Sequence, residues 1–525
     1  MRQLRTFATV AVLAAAGASL AACSSPTTTS GASGSHLVVA LAEAPDDLDP
    51  TTGASFVGRT VFANMCEKLY DTSPDLSIVP QLASAMPTVS ADGRTYTIKL
   101  RSGVKFNDGT PFNAQAVVTT LKRDKSDPKS ARASELTAIS SVTAVDSSTV
   151  KISLSTPFAP LTAVLADRSG MIESPTQLKK VGAAGFASHP ICVGPFTVTS
   201  RPSSDRIELA KSNDYYDKSA VKLSKVTFEV VTQPNVRAAN LRSGDVQVAE
   251  RLAPTDEKSL QSSSNVDLKQ VTSLGYDGIS INVSNSNGAG QSPYNVVSTP
   301  LAKSAALRKA FALSLDRDTL NQVVNQGKFV VDCTPISPAS PYASGITCPK
   351  QNIAAAKKLV TNSGASTPVP VTLVVQAADN QAVKFGEVVQ SMAKKAGFAV
   401  KIQPTEFTTA LTQAQAGKFD AFNIGWSGRL DPDQNISQFW GPGSTLNYTG
   451  AHYSDIDSLI SQARATTDMS ARKTLYKQLC EKILAKNNII YLDHPTYLLG
   501  TTTSVHGVAY YGDGLVRLGT ASLSG

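Results

Sequence analysis

Histidine is scarce in this chain. His36, His189, His452, His494 and His506 are the five among 525 residues, and no two of them stand at metal-ligand spacing. The HExxH signature and paired CxxC motifs are missing, which removes zinc hydrolases and zinc ribbons. No glycine-rich loop precedes a lysine and a hydroxyl residue in the way a phosphate cradle requires. Charged residues make up only 17% of the chain, against about a quarter in an average soluble protein. The formal charge of +8 is spread thinly and without a Lys/Arg-rich run, so nucleic acid is not the expected partner. Internal repeats and heptads are also lacking, as is any apolar run after the leader long enough to span a bilayer.

What is present begins with "MRQLRTFATVAVLAAAGASLAAC". Arg2 and Arg5 precede an apolar run that ends in small residues, the three-part layout of a secretory signal over residues 1–22. Leu20-Ala21-Ala22-Cys23 resembles the bacterial lipobox, which implies cleavage before Cys23 and a lipid on its sulfur. Residues 23–35 carry almost nothing apolar and predict a flexible tether. The expected location is therefore the outer face of the cytoplasmic membrane, held there by the lipid anchor alone.

The remainder is too long for one core and predicts two or three domains. An oxidising exterior permits disulfides. Cys333 and Cys348 flank the loop "TPISPASPYASGIT", and a bond there would stabilise by about 3 kcal/mol on a loop-entropy argument. Pairing of Cys66 with Cys192 is left open, and Cys480 reads as a buried apolar residue of a helix. "RTVFANMCEKLYD" and "SAALRKAFALSLDRDTLNQVVNQG" have helical spacing, the latter stopping at Gly327. Tyr96, Ile98 and Leu100 alternate as in a half-buried strand, and Asn113 opens a helix.

Residues 371–426 are the most informative. "VTLVVQ", "FAVKIQP" and "FDAFNIGW" read as strands, separated by helices that stop at Gly397 and Gly417. That is a βαβαβ unit, which builds a parallel sheet with right-handed crossovers. Ligands on such sheets sit beyond the carboxyl ends of the strands. The third strand ends in "GWSGRLDPDQN", which places Trp426 there, with Arg429, Asp431 and Asp433 close behind. Asp431, Asp433 and Asn435 imitate the start of a calcium loop, but Ile436 replaces its glycine and Pro442 its last carboxylate. Ser427 lies near glycines without forming the G-x-S-x-G elbow. An aromatic plate with a few charges is the makeup of a small-molecule pocket, and no metal or cofactor is expected.

These residues carry a resemblance to the bacterial extracellular solute-binding proteins of family 5, the peptide- and nickel-binding lipoproteins of ABC importers. It rests on "PDDLDP", "CEKLYD", "LRSGVKFNDGTPFNAQAVV", "GPF", "LRSGDV", "LRKAFALSLDRDTL" and "GWSGRLDPD", in order along nearly all of the mature chain. The resemblance implies an α/β, two-lobed periplasmic-binding-protein-like fold with an extra subdomain inserted in the first lobe. Lobe I is expected over residues 36–72, 190–282 and 490–525, the inserted subdomain over 73–189, and lobe II over 283–489. It implies a monomer that is no enzyme, captures short peptides and delivers them to an ABC permease with its ATPase.

Carried over, Gly425, Trp426 and Ser427 line the pocket, the backbone pairing with the peptide. Phe56, in "TTGASFVG", is the first-lobe candidate. Several peptide binders of the family have an aspartate two or three positions after the tryptophan for the α-ammonium, where this chain has Arg429. An arginine fork suits a carboxylate. That leaves Asp431 or Asp433 for an ammonium, or else a glutathione-like or acidic ligand. Sugar or opine-like solutes stay open too, and a secreted hydrolase using the two aspartates is the reading from another class. A surface module that binds another macromolecule without transport is a third.

Overall fold

The structure, a computed structural model, describes residues 35–377 and 380–524. The signal segment, Cys23 and the tether up to residue 34 lie outside the described residues. Among the described residues no helix is long and apolar enough to cross a membrane.

Two mixed sheets carry the architecture. The first has seven strands, in the order Val266–Thr272, Thr496–Thr502, Val248–Ala249, His36–Leu41, Lys225–Val230, Arg206–Lys211 and Phe196–Ser203. His36–Leu41 lies in its middle, flanked by parallel partners on both sides, and its run LVVAL is apolar almost without interruption because both faces are covered. The second has six strands, in the order Val330–Val331, Ile489–His494, Tyr276–Ile281, Ala421–Trp426, Val369–Gln376 and Phe398–Thr405. A four-stranded antiparallel sheet, Thr88–Val89, Thr95–Lys99, Thr149–Leu154 and Ile139–Asp146, has a separate apolar core with the helix Ala114–Ser126.

The βαβαβ unit is present. Val369–Gln376 lies between Phe398–Thr405 and Ala421–Trp426 and is parallel to both. The helices Asn380–Lys394 and Phe407–Gln415 connect them. Gly397 (φ 95°) and Gly417 (φ 71°) take left-handed backbone behind those helices, which suits a residue without Cβ. The sheet is not parallel throughout, since Tyr276–Ile281 runs antiparallel to both Ala421–Trp426 and Ile489–His494.

Two helical readings are corrected. The stretch from Ala305 to Val324 is two helices, Ala305–Ser314 and Arg317–Val324, because the Asp316 carboxylate accepts from Thr319 N and caps the second. The first helix, Phe56–Met65, stops before "CEKLYD", where Cys66 is extended and bonded to Cys192. Cys333 and Cys348 are also bonded, and Cys480 is a buried free thiol.

The chain passes between the two main sheets at 273–275 and at Pro495. The two crossings touch: Ser273 N donates to Pro495 O at 2.9 Å, and His494 Nδ1 meets Gly275 O. These passages lie a few residues from the expected divisions at 282/283 and 489/490.

Candidate functional site

A cavity of about 350 Å³ opens between the main sheets. Arg251, Leu252 and Tyr497 line it from the seven-stranded side, and Asp277, Asn423, Gly425 and Asp493 from the six-stranded side. Three neighbouring strands set Gly425, Asp277 and Asp493 side by side in register. A Cβ on Gly425 would fall 2.0 Å from Asp277 Oδ1, so the position must be glycine for the carboxylate to lie across the strand.

Asp493 is the penultimate residue of a strand, IIYLDH, in which all six residues are buried. Asn325 Nδ2 donates to its Oδ2 at 3.4 Å, a long contact, while its Oδ1 is buried with no hydrogen-bond partner among the described residues. Burial and the neighbouring Asp277 charge push the Asp493 carboxyl well above the usual range. Across the cavity Arg251 has left-handed backbone, φ 46°, a strained conformation for a residue with a side chain. Its guanidinium donates to Glu43 Oε1 at 3.0 Å and lies 3.7 Å from Glu250 Oε1.

Each residue singled out from the sequence has a definite place. Of Gly425, Trp426 and Ser427, Gly425 is the one on the cavity wall. The half-buried Trp426 donates from Nε1 to Asn435 Oδ1 at 2.9 Å, meets the Phe439 ring edge-on at 5.1 Å, and has the Arg429 guanidinium 4.4 Å over its face. Ser427 Oγ accepts from Arg429 Nη1 at 3.2 Å. Phe56 packs on Tyr497 at 5.6 Å beneath the guanidiniums of Arg59 and Arg251, and so supports the cavity wall from behind.

Arg429 is not a free fork for a ligand carboxylate. It is buried, and its Nε lies 3.2 Å from Asp167 Oδ2, while Arg59 Nε donates to Asp167 Oδ1 at 3.2 Å. Burial and the Arg59 charge pull its guanidinium down to about 10, still charged at neutral pH. Burial alone would raise the Asp167 carboxyl, but Arg59 and Arg429 hold it well below the usual range.

Asp431 and Asp433 are likewise committed. Asp431 caps the helix Pro432–Trp440 and takes two bonds of 2.8 Å from Arg472. Asp433 takes two from Arg464, at 2.7 and 3.0 Å. Both carboxylates thus already have an arginine of this chain as partner, and neither lines the cavity that Gly425 lines. Asp332, Cys333 and Cys348 come within 4.8 Å of one another, but the disulfide removes both thiolates as metal ligands.

The residues missed in the sequence are Asp277, Asp493 and Arg251, and for Asn435 the role was missed. Asn435 locks the loop: its Oδ1 accepts from Trp426 Nε1 and Arg429 N, and its Nδ2 donates to Arg429 O at 2.9 Å. A signal for Asp493 exists in "IIYLD", where a carboxylate closes an unbroken apolar run.

Residues 77–447 match the family described as bacterial extracellular solute-binding proteins, family 5 Middle. The glutathione-binding protein GsiB of Pectobacterium atrosepticum is 28% identical over 469 residues, spanning 87% of this chain and 88% of that one. The dipeptide-binding protein of Pseudoalteromonas sp. SM9913, solved with Met-Leu, superposes with a TM-score of 0.82 at 20% identity, over 93% of this chain and 100% of the other. The oligopeptide-binding protein AppA of Bacillus subtilis, solved with a nonapeptide, gives 0.79 at 23% identity, over 93% and 99%. The two structures establish the fold as that of the two-lobed periplasmic binding proteins.

Proposed function

Because this chain belongs to the bacterial extracellular solute-binding proteins of family 5, the substrate-binding components of ABC importers, we propose that it captures a short peptide between its lobes and hands it to a membrane permease. The observation that carries the reading is the cavity of about 350 Å³ with the exposed backbone of Gly425 on its wall. That volume sits at the lower end of small-ligand pockets, about 300–1,000 Å³. Gly425 stands at the carboxyl end of a parallel strand, where an extended ligand can pair with main-chain groups. The peptide class is supported by the names and ligands of the relatives, a glutathione-binding protein and complexes with Met-Leu and a nonapeptide. Anchoring through a lipid on Cys23 belongs to the same proposal and rests on the lipobox-like Leu20-Ala21-Ala22-Cys23.

Mass spectrometry of small molecules released on denaturing the purified protein tests the capture directly, with a thermal-shift screen of peptides beside it. Release of a peptide and stabilisation by peptides are the expected results. A clear response to sugars or another solute class, with none to any peptide, would overturn the peptide assignment.

A further inference from the structure

We propose that Asp277 and Asp493 together form the seat of a cationic group of the ligand, so that the cleft selects solutes bearing an ammonium or guanidinium. The inference rests on capture in this cavity and names the chemistry it selects. Both side chains line the cavity and face each other across adjacent antiparallel strands. Gly425 on the next strand leaves room for the Asp277 carboxylate. The independent observation is Asp493 Oδ1, an acceptor in a residue 7% exposed that has no donor among the described residues. A buried carboxylate oxygen without a donor is costly, and a second carboxylate beside it adds repulsion. A ligand cation relieves both at once through charge-assisted hydrogen bonds.

The opposite wall does not undo this preference. Its cation, Arg251, already has Glu43 and Glu250 beside it. Arg429, the arginine the sequence offered for the ligand, lies 3.2 Å from Asp167. The ammonium seat expected at Asp431 or Asp433 moves to the strands beside Gly425, at the same end of the pairing, because those two carboxylates are held by Arg472 and Arg464.

The test uses the intact protein and two matched probe pairs, trialanine against N-acetyl-trialanine and lysyl against norleucyl tripeptides, titrated by calorimetry. The wild type is expected to bind the charged member of at least one pair ten times or more tighter than its neutral partner. Asp493→Asn and Asp277→Asn are expected each to lose that preference by tenfold or more. Both replacements keep side-chain shape, and unliganded melting curves check that each variant folds. Asp455→Asn, an exposed carboxylate paired with Lys482, is expected to leave the preference unchanged. If peptides bind but the charge preference is missing or survives both cleft replacements, the cation seat is overturned while peptide capture stands. If no probe or other peptide binds at all, capture itself fails and the seat with it.

Discussion

Arg472 carries its charge inside the protein, with 4% of the residue exposed. Asp431 receives it through two bonds of 2.8 Å, and the Tyr342 and Tyr476 hydroxyls complete its surroundings at 2.8 and 2.9 Å. Removing one partner of such a pair leaves the other charge buried, which costs about 3–5 kcal/mol. Asp431→Ala is therefore expected to lower unfolding stability by roughly that amount, while peptide affinity of the folded fraction changes less than threefold. Denaturant titration and calorimetry read the two quantities separately, and an affinity loss at unchanged stability would restore Asp431 to the ligand. The sequence places the indole, the arginine and both aspartates in one loop, and that much was legible. Their partners were not, because Arg472 lies 41 residues further along and Asp167 comes from a different sheet's core. Residue type at a spacing describes what a side chain can do; which distant charge reaches it first is decided by the fold.

At the level of elements, the turn after the first helix joins a disulfide to a buried acid. Glu67 N donates to Val193 O beside the Cys66–Cys192 bond. Its carboxylate accepts from Tyr215 at 2.6 Å and from Tyr216 at 3.0 Å. Burial pushes the Glu67 carboxyl up to about 7 from 4.5, only partly offset by the two hydroxyls. The folded state then holds a proton that the unfolded chain has released between those values. Stability contributed at this site is present below about 4.5 and is lost as pH rises towards about 7. At about 1.4 kcal/mol per unit the full swing is on the order of 3 kcal/mol. Glu67→Gln should flatten the stability profile between pH 5 and pH 8 relative to the wild type, as measured by denaturant titration. A parallel profile would show that the acid is not protonated in the fold. The same region shows where element reading succeeds and where it stops. The βαβαβ unit was legible because period, strand composition and the glycines at 397 and 417 all agree. The end of the first helix was not, since Cys66 continues the helical spacing while its extended backbone goes with a bond to Cys192, 126 residues away in sequence.

For the whole molecule, the two-lobed plan was legible through the ordered family motifs, whereas the residues at which the chain changes sheet were not. Both crossings are too short to read as linkers: residues 273–275 join Val266–Thr272 to Tyr276–Ile281, and Pro495 alone joins Ile489–His494 to Thr496–Thr502. Away from these crossings the parts are tied by Lys328 on Glu257 at 2.9 Å, by Ala159 N on Arg464 O at 2.8 Å, and by a carboxylate shared between two arginines. Asp167, beside the four-stranded sheet's core, takes Arg59 from the first helix on one oxygen and Arg429 from the loop of the six-stranded sheet on the other, both at 3.2 Å. Arg132 and Arg168 add further positive charge around it. Asp167→Asn leaves those guanidiniums facing a neutral amide; Arg132 keeps Glu135, but Arg59 and Arg429 lose their carboxylate and need water in its place. Separation of the six-stranded lobe from the first helix is the direct way to supply it. The expected result is a larger radius of gyration by small-angle scattering in the ligand-free protein, with weaker binding because the closed arrangement is less populated. Arg429→Met in the same chain removes the charge most completely stranded and should recover part of the loss, with a coupling energy above about 1 kcal/mol in a double-mutant cycle. Additive losses with unchanged scattering would reduce Asp167 to local packing and leave lobe closure to the ligand alone.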